Sequence, residues 1–336
     1  MRRPRAVLAM DRRSQDWLVT AQGVAQLAQL VDLDPQEVLT EFDSRHAREL
    51  LGQAEVMITS WGCPRIDHRV LQMAPALRAV FHAAGTVKSH LTDEVWERGI
   101  RVVSAADAGA VPVAEFTLAA ILFANKRVLA SSRMYCAEHS LDVRARLPRN
   151  TGNIDRRVGL IGASRVGRRV AALLEPFDLT VIMADPYLDL QDAARMGVEV
   201  VPLEELLRSC DVVSLHAPST PATRHMIGRE ELRLIKDGAT LINTARGALV
   251  DQDALVDELV TGRLDAVLDV TDPEPLPADS PLYTLPNVLL TPHVSGAFNP
   301  AEAGRQLDLV IAELERYLGG LPLMHEVTPS SLGVIA

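Results

Sequence analysis

The 336-residue chain is long for one hydrophobic core and sufficient for two domains. Its 48% hydrophobic and 23% charged residues are ordinary for a globular protein, and a formal net charge of −10 speaks against nucleic-acid binding as the main activity, while leaving room for a small anion held by a local arginine. Three cysteines, Cys63, Cys136 and Cys210, have neither disulfide-framework nor metal-ligand spacing, which predicts no metal and suits a reducing cytoplasm. No apolar run approaches a membrane span, and the one after the basic N-terminus is too short for a signal peptide.

In chain order, Ala6–Met10 reads as a strand and Ser14–Leu30 as a helical stretch. Strands at Glu55–Ser60, Leu77–His82 and Ile100–Ser104 then alternate with helices at Ile66–Met73 and Asp93–Arg98, which predicts a small parallel sheet. A long apolar helix is expected from Pro112 to Leu129, with proline at its start. Residues 133–153 read as irregular. Strands follow near 158–162, 180–185, 211–217, 239–245, 264–270 and 287–292, and Ala301–Leu318 is a final amphipathic helix. The expected fold is α/β: two Rossmann-like or flavodoxin-like domains with doubly wound parallel sheets and a cleft between them. The first comprises residues 1–107 and 297–336, the second residues 108–296.

The most informative stretch is Val158-Gly159-Leu160-Ile161-Gly162-Ala163-Ser164-Arg165-Val166-Gly167. A buried strand runs into a turn at Gly162, and a helix begins near Arg165, with Gly167 allowing close packing on the strand. Free N–H groups at such a helix start favour a pyrophosphate. The fingerprint G-x-G-x-x-G has Ser164 in place of its middle glycine, the mildest replacement, with a hydroxyl able to donate to phosphate. The next strand ends in Asp185, whose carboxylate suits the adenosine ribose hydroxyls and repels a 2′-phosphate. The reading is NAD rather than NADP, with Arg195 and the arginines on the motif helix as the contrary signal.

Ligands of such sheets bind beyond the carboxyl ends of the strands. Arg246, Glu274 and His293 each follow a predicted strand. Taken singly, each is an ordinary loop residue; a cation, a carboxylate and an imidazole converging beside a nicotinamide make a hydride-transfer site.

The segments Asn243-Thr244-Ala245-Arg246-Gly247-Ala248-Leu249-Val250-Asp251, Leu268-Asp269-Val270-Thr271-Asp272-Pro273-Glu274-Pro275-Leu276 and Thr291-Pro292-His293 carry a resemblance. So do His216-Ala217-Pro218 and Val113-Ala114-Glu115. The sequence resembles the D-isomer-specific 2-hydroxyacid dehydrogenase family over nearly its whole length. The resemblance implies that Arg246 forks onto the substrate carboxylate and carbonyl oxygen, and that His293 exchanges a proton with the substrate oxygen. Glu274 would orient the imidazole and favour its protonated form. For NAD it implies Gly162, Ser164, Arg165, Val166, Gly167, Asp185, His216, Ala217, Pro218, Thr244, Ala245, Arg246, Asp269, His293, Ser295 and Gly296, although the His216 side chain itself reads as structural. For substrate it implies Ala84, Gly85 and Thr86 with Arg246 and His293.

The expected activity is NAD-dependent, D-specific reduction of a small 2-ketoacid of the glyoxylate or hydroxypyruvate type. A formate- or phosphite-type dehydrogenase is the near rival; Glu274, where formate members carry glutamine, disfavours the formate type. A non-catalytic NAD-sensing protein of the corepressor kind is the rival from another class. Thr86 and Lys88 depart from the family's substrate turn, and His82 before that turn has no assigned role. The resemblance also places the apolar Phe116–Phe123 stretch in a homodimer interface between cofactor domains. No nucleic-acid or membrane partner is expected.

Overall fold

Twelve short strands, all in parallel pairs, form two sheets in the computed structural model, which describes residues 2–332. The first residue and the last four of the predicted first domain lie outside the described residues. Contacts divide the chain into two compact units, one extending to Ala110 and resuming at Ala297, the other Val111–Gly296.

In the first unit, β1 (Ala6–Ala9), β2 (Val38–Leu39), β3 (Val56–Thr59), β4 (Ala79–His82) and β5 (Arg101–Ser104) lie in the order β2-β1-β3-β4-β5. This is the flavodoxin-like order. Alternate residues feed opposite faces: Met57 and Val80 meet Leu51, Leu71 and Val95, whereas Ile58 and Phe81 meet Leu307, Val310 and Leu314 of the Pro300–Leu318 helix. That helix therefore completes the first unit although it follows the second in sequence. The predicted Ser14–Leu30 helix is two helices, Arg12–Leu18 and Ala21–Leu30, because Thr20 stops one and caps the other by accepting from Gly23 N at 3.1 Å.

The second unit holds β6 (Arg156–Ile161), β7 (Leu179–Ala184), β8 (Glu199–Val200), β9 (Val212–Leu215), β10 (Thr240–Asn243), β11 (Asp265–Leu268) and β12 (Val288–Leu290), ordered β12-β11-β10-β9-β6-β7-β8. The order reverses at the β6–β9 pair, the switch point where dinucleotides bind in such sheets. Ile161, Val213 and Leu241 pack under Leu206, Leu232 and Leu255 on one face. Val158, Leu160 and Ile242 pack against Ala114, Ile121 and Val170 on the other.

The long apolar helix differs from expectation. It runs Ala106–Asn125, so Pro112 lies inside it rather than at its start. The missing proline N–H leaves the Ala108 carbonyl without its usual helical donor. By length and composition this helix suffices to cross a membrane, contrary to the expectation that no run approaches a span. In this fold it buries a helical stripe, Ala110, Ala114, Thr117, Ile121 and Asn125. The stretch read as irregular also holds order: a helix at Val128–Glu138 and a 3₁₀ segment at Leu141–Arg146.

Candidate active site

The turn after β6 is set by its glycines. Gly162 has φ +103°, and a Cβ there would lie 2.6 Å from Ala217 N. A Cβ at Gly167 would lie 2.1 Å from Gly162 O, so the helix approaches the turn only because both side chains are absent. Ser164 caps that helix, Arg165–Leu174, its Oγ accepting from Gly167 N at 3.3 Å. The departure from the fingerprint thus has a structural use: the hydroxyl oxygen satisfies one first-turn N–H, and a hydroxyl that accepts one bond keeps its own proton to donate. Arg165 and Val166 sit half-buried on that first turn.

Asp185 follows β7 and binds the turn directly, Oδ2 accepting from Ala163 N at 2.6 Å and Oδ1 from Tyr187 N at 2.7 Å. After β9, His216 N donates to Ile161 O at 2.7 Å, and Ala217 and Pro218 continue along the turn. The His216 ring is buried without a hydrogen-bond partner for either nitrogen, and burial pushes it down to about 3. The ring is a neutral core group, which leaves only the backbone of His216 in the turn. Turn, helix start and carboxylate form the donor and acceptor set a dinucleotide requires.

The second cluster grows from β10, β11 and β12. Asn243, at the end of β10, is buried and shapes the next turn, Nδ2 donating to Arg246 O at 2.9 Å and Oδ1 accepting from Ala245 N at 3.1 Å. Thr244 is buried, with its hydroxyl 2.9 Å from that of Thr117 on the long helix. A Cβ at Gly247 would lie 2.1 Å from the Thr271 carbonyl carbon, so this glycine lets the Arg246 turn touch the loop that carries Glu274. Arg246 is half-buried; burial lowers its guanidinium from the ordinary value, and the Glu274 carboxylate opposes that shift. Such a cation is poorly hydrated and ready for an anion.

His293 adopts the left-handed conformation, φ +56°, at a position where most residues prefer another backbone. Asp269 holds it there. Its buried carboxylate accepts from Thr291 Oγ1 at 2.6 Å, Val294 N at 2.8 Å and Ser295 N at 2.9 Å, bracketing His293 on both sides. His293 N also donates to Asp269 O at 3.0 Å. Three charge-assisted bonds readily offset a backbone strain of about 1 kcal/mol. The imidazole Nδ1 then lies 2.7 Å from Glu274 Oε1, with both side chains nearly half exposed. With Nδ1–H donating to the carboxylate, Nε2 is left to carry or take a proton. Gly296 borders open space.

The structure therefore brings Arg246, Glu274 and His293 together and assigns the Asp269 carboxylate to the histidine loop. Sequence reasoning missed Asn243 and Thr117; a polar residue ending an otherwise apolar strand was the available signal for Asn243. Ala84, Gly85 and Thr86 lie in the first unit, after β4, where Ser104 Oγ donates to the Ala84 and Gly85 carbonyls. His82 beneath them is buried, 2.9 Å from Thr59 Oγ1 and against His90, with ring centroids 4.4 Å apart and the planes tilted by 43°. Burial, reinforced by His90, holds His82 well below its ordinary value, and burial pushes His90 down to about 4. Both are neutral supports of the turn.

Residues 118–295 match the model of the D-isomer specific 2-hydroxyacid dehydrogenase NAD binding domain. The chain belongs to this family. Its NAD-binding domain contains both clusters described above. Among relatives, a D-3-phosphoglycerate dehydrogenase of Methanocaldococcus jannaschii is 34% identical over 84% of this chain and 53% of its own length. A glyoxylate reductase of Korarchaeum cryptofilum is 37% identical over 76% of this chain and 77% of its own. The chain spans about half the length of the phosphoglycerate dehydrogenases it matches, 53% and 49% for two of them. A solved structure of a Thermus thermophilus protein superposes with a TM-score of 0.74 at 31% identity, covering 96% of this chain and all of that one.

Proposed function

We propose that the protein is an NAD-dependent reductase of small 2-ketoacids, of the glyoxylate or hydroxypyruvate type, giving the D-hydroxyacid. The observation that carries this reading is the 2.7 Å Glu274–His293 pair beside the half-buried Arg246. Arg246 forks onto the carboxylate and carbonyl oxygen of the substrate. His293, oriented by Glu274, donates its Nε2 proton to the ketone oxygen, or takes the hydroxyl proton in the reverse direction. When bound, NADH supplies the hydride. Ser164, Arg165 and Val166 hold the pyrophosphate and Asp185 the adenosine ribose, with Ala217, Pro218 and the 244–246 turn flanking the rest. The glyoxylate reductase relative supports the substrate class, and free thiols at Cys63, Cys136 and Cys210 accord with a cytoplasmic location. Turnover with a panel of 2-ketoacids tests the reading; NADH binding without turnover on any of them contradicts it and favours an NAD sensor.

Cofactor choice follows from Asp185. Fluorescence titration should show NADH binding at least about tenfold more tightly than NADPH, about 1.4 kcal/mol. Asp185→Ala should narrow that gap, since ribose bonds and 2′-phosphate repulsion are lost together. Equal affinities in the parent protein count against the assignment.

The same reading includes a homodimer. Beyond its buried stripe the Ala106–Asn125 helix leaves Phe123 55% exposed, and the Val128–Glu138 helix buries none of its residues. Together with Leu289 and Pro286 they border an apolar groove of about 430 Å³ that includes Phe116 and Met134. A second copy covers such a face economically. Sedimentation should give a dimer at micromolar concentration, and Phe123→Asp should weaken it. A parent monomer under those conditions contradicts this proposal.

A further inference from the structure

Asp185 is not the only charged group around the adenosine end of the turn. Arg168, one turn into the motif helix, donates from Nε to Ala163 O at 2.9 Å, while Asp185 accepts from the N–H of that same residue. Arg168 and Asp185 thus grip Ala163 from its two ends, which puts a guanidinium within one residue of the ribose-binding carboxylate. Left to itself, that guanidinium is a natural partner for a 2′-phosphate. It is not left to itself. Its Nη2 lies 3.3 Å from Asp192 Oδ2, and Arg195 Nη2 takes the other oxygen, Asp192 Oδ1. One carboxylate therefore holds two arginines, one oxygen each. Asp192 is in turn fixed by the cap of its own helix, its N–H donating to Asp189 Oδ1 at 2.8 Å. The Arg195 side chain is 72% exposed and Arg168 41% exposed, so both are accessible to an anion once released.

We propose that Asp192 is a second determinant of cofactor choice: it withholds from a 2′-phosphate both Arg168, which shares Ala163 with Asp185, and Arg195, which shares the Asp192 carboxylate with Arg168. This rests on the reading that the adenosine ribose sits at Asp185. Removing Asp185 alone abolishes the repulsion but leaves both arginines occupied. Removing Asp192 alone releases the arginines but leaves the repulsion in place. Only the double change supplies attraction without repulsion, so the two effects on NADPH are coupled rather than additive.

The experiment is fluorescence titration of the full chain with NADH and NADPH, and competition with 5′-AMP and adenosine 2′,5′-bisphosphate. It uses the parent, Asp185→Ala, Asp192→Asn, the double variant and Asp192→Glu. The double variant should gain NADPH affinity at least about fivefold beyond the product of the single effects, the scale of a half-exposed ion pair released to a new partner. The gain should weaken with added salt and appear equally for adenosine 2′,5′-bisphosphate against 5′-AMP, a readout independent of turnover. Asp192→Glu keeps the charge and should keep the parent preference, and it serves as the folded control. Strictly multiplicative single effects overturn the proposal, as does an Asp192→Asn variant that loses NADH and NADPH affinity in equal measure. A parent that binds neither NADH nor 5′-AMP instead overturns the underlying cofactor reading.

Discussion

His293→Ala should lower 2-ketoacid reduction by about 10²–10⁴-fold, the range for loss of a positioned general acid. The ketone oxygen gains negative charge as the hydride arrives, and without the imidazole only water supplies a proton. NADH affinity should change little, because the pyrophosphate and ribose groups belong to the β6 and β7 turns, remote in sequence from the histidine loop. The loss should therefore fall on kcat, measured by steady-state kinetics with saturating NADH. A variant retaining more than about a tenth of the parent rate is incompatible with His293 as the acid.

Arg246→Lys should reduce kcat/KM by about 10–100-fold, with KM and kcat both affected. The charge is kept, so simple electrostatic attraction predicts a small effect. The fork is lost, however, and a point charge cannot bond the carboxylate and the carbonyl oxygen at once; each charge-assisted bond is worth about 1.5–3 kcal/mol. Arg246 is held in place, with its carbonyl pinned by Asn243 and its Nη1 donating to Ala245 O at 2.6 Å. Steady-state kinetics with one good ketoacid separates these cases. A change confined to KM would reassign Arg246 to ground-state binding alone.

The placement of both side chains, and of Glu274, beyond the carboxyl ends of strands is legible in the sequence because the apolar runs of β10, β11 and β12 precede them. The start of the motif helix is readable for a similar reason, its glycines, serine cap and buried Val170 and Leu174 all pointing the same way. What escaped depends on tertiary context. β2 and β8 have two residues each, too few to show alternation, and exist only as edges added to a neighbour. The Val128–Glu138 helix has no buried residue in this chain, so no apolar stripe marks it. Pro112 reads as a helix start on local chemistry alone, yet packing carries the helix through it. The Asp269 carboxylate is taken up by three donors of the histidine loop, a contact between the end of β11 and the end of β12 that no local pattern encodes.

The central claim is that Glu274 and His293 act as one acid–base unit, and a double-mutant cycle of Glu274→Gln and His293→Ala on the rate of 2-ketoacid reduction tests it most directly. Reduction needs a proton delivered from the imidazole to the ketone oxygen. A carboxylate 2.7 Å from Nδ1 orients that ring, and glutamine keeps the shape while removing the charge. With His293 present, Glu274→Gln should lower kcat by about fivefold or more; in the His293→Ala background it should change kcat little, with NADH affinity little changed in both. Equal losses in the two backgrounds contradict the Glu274–His293 assignment.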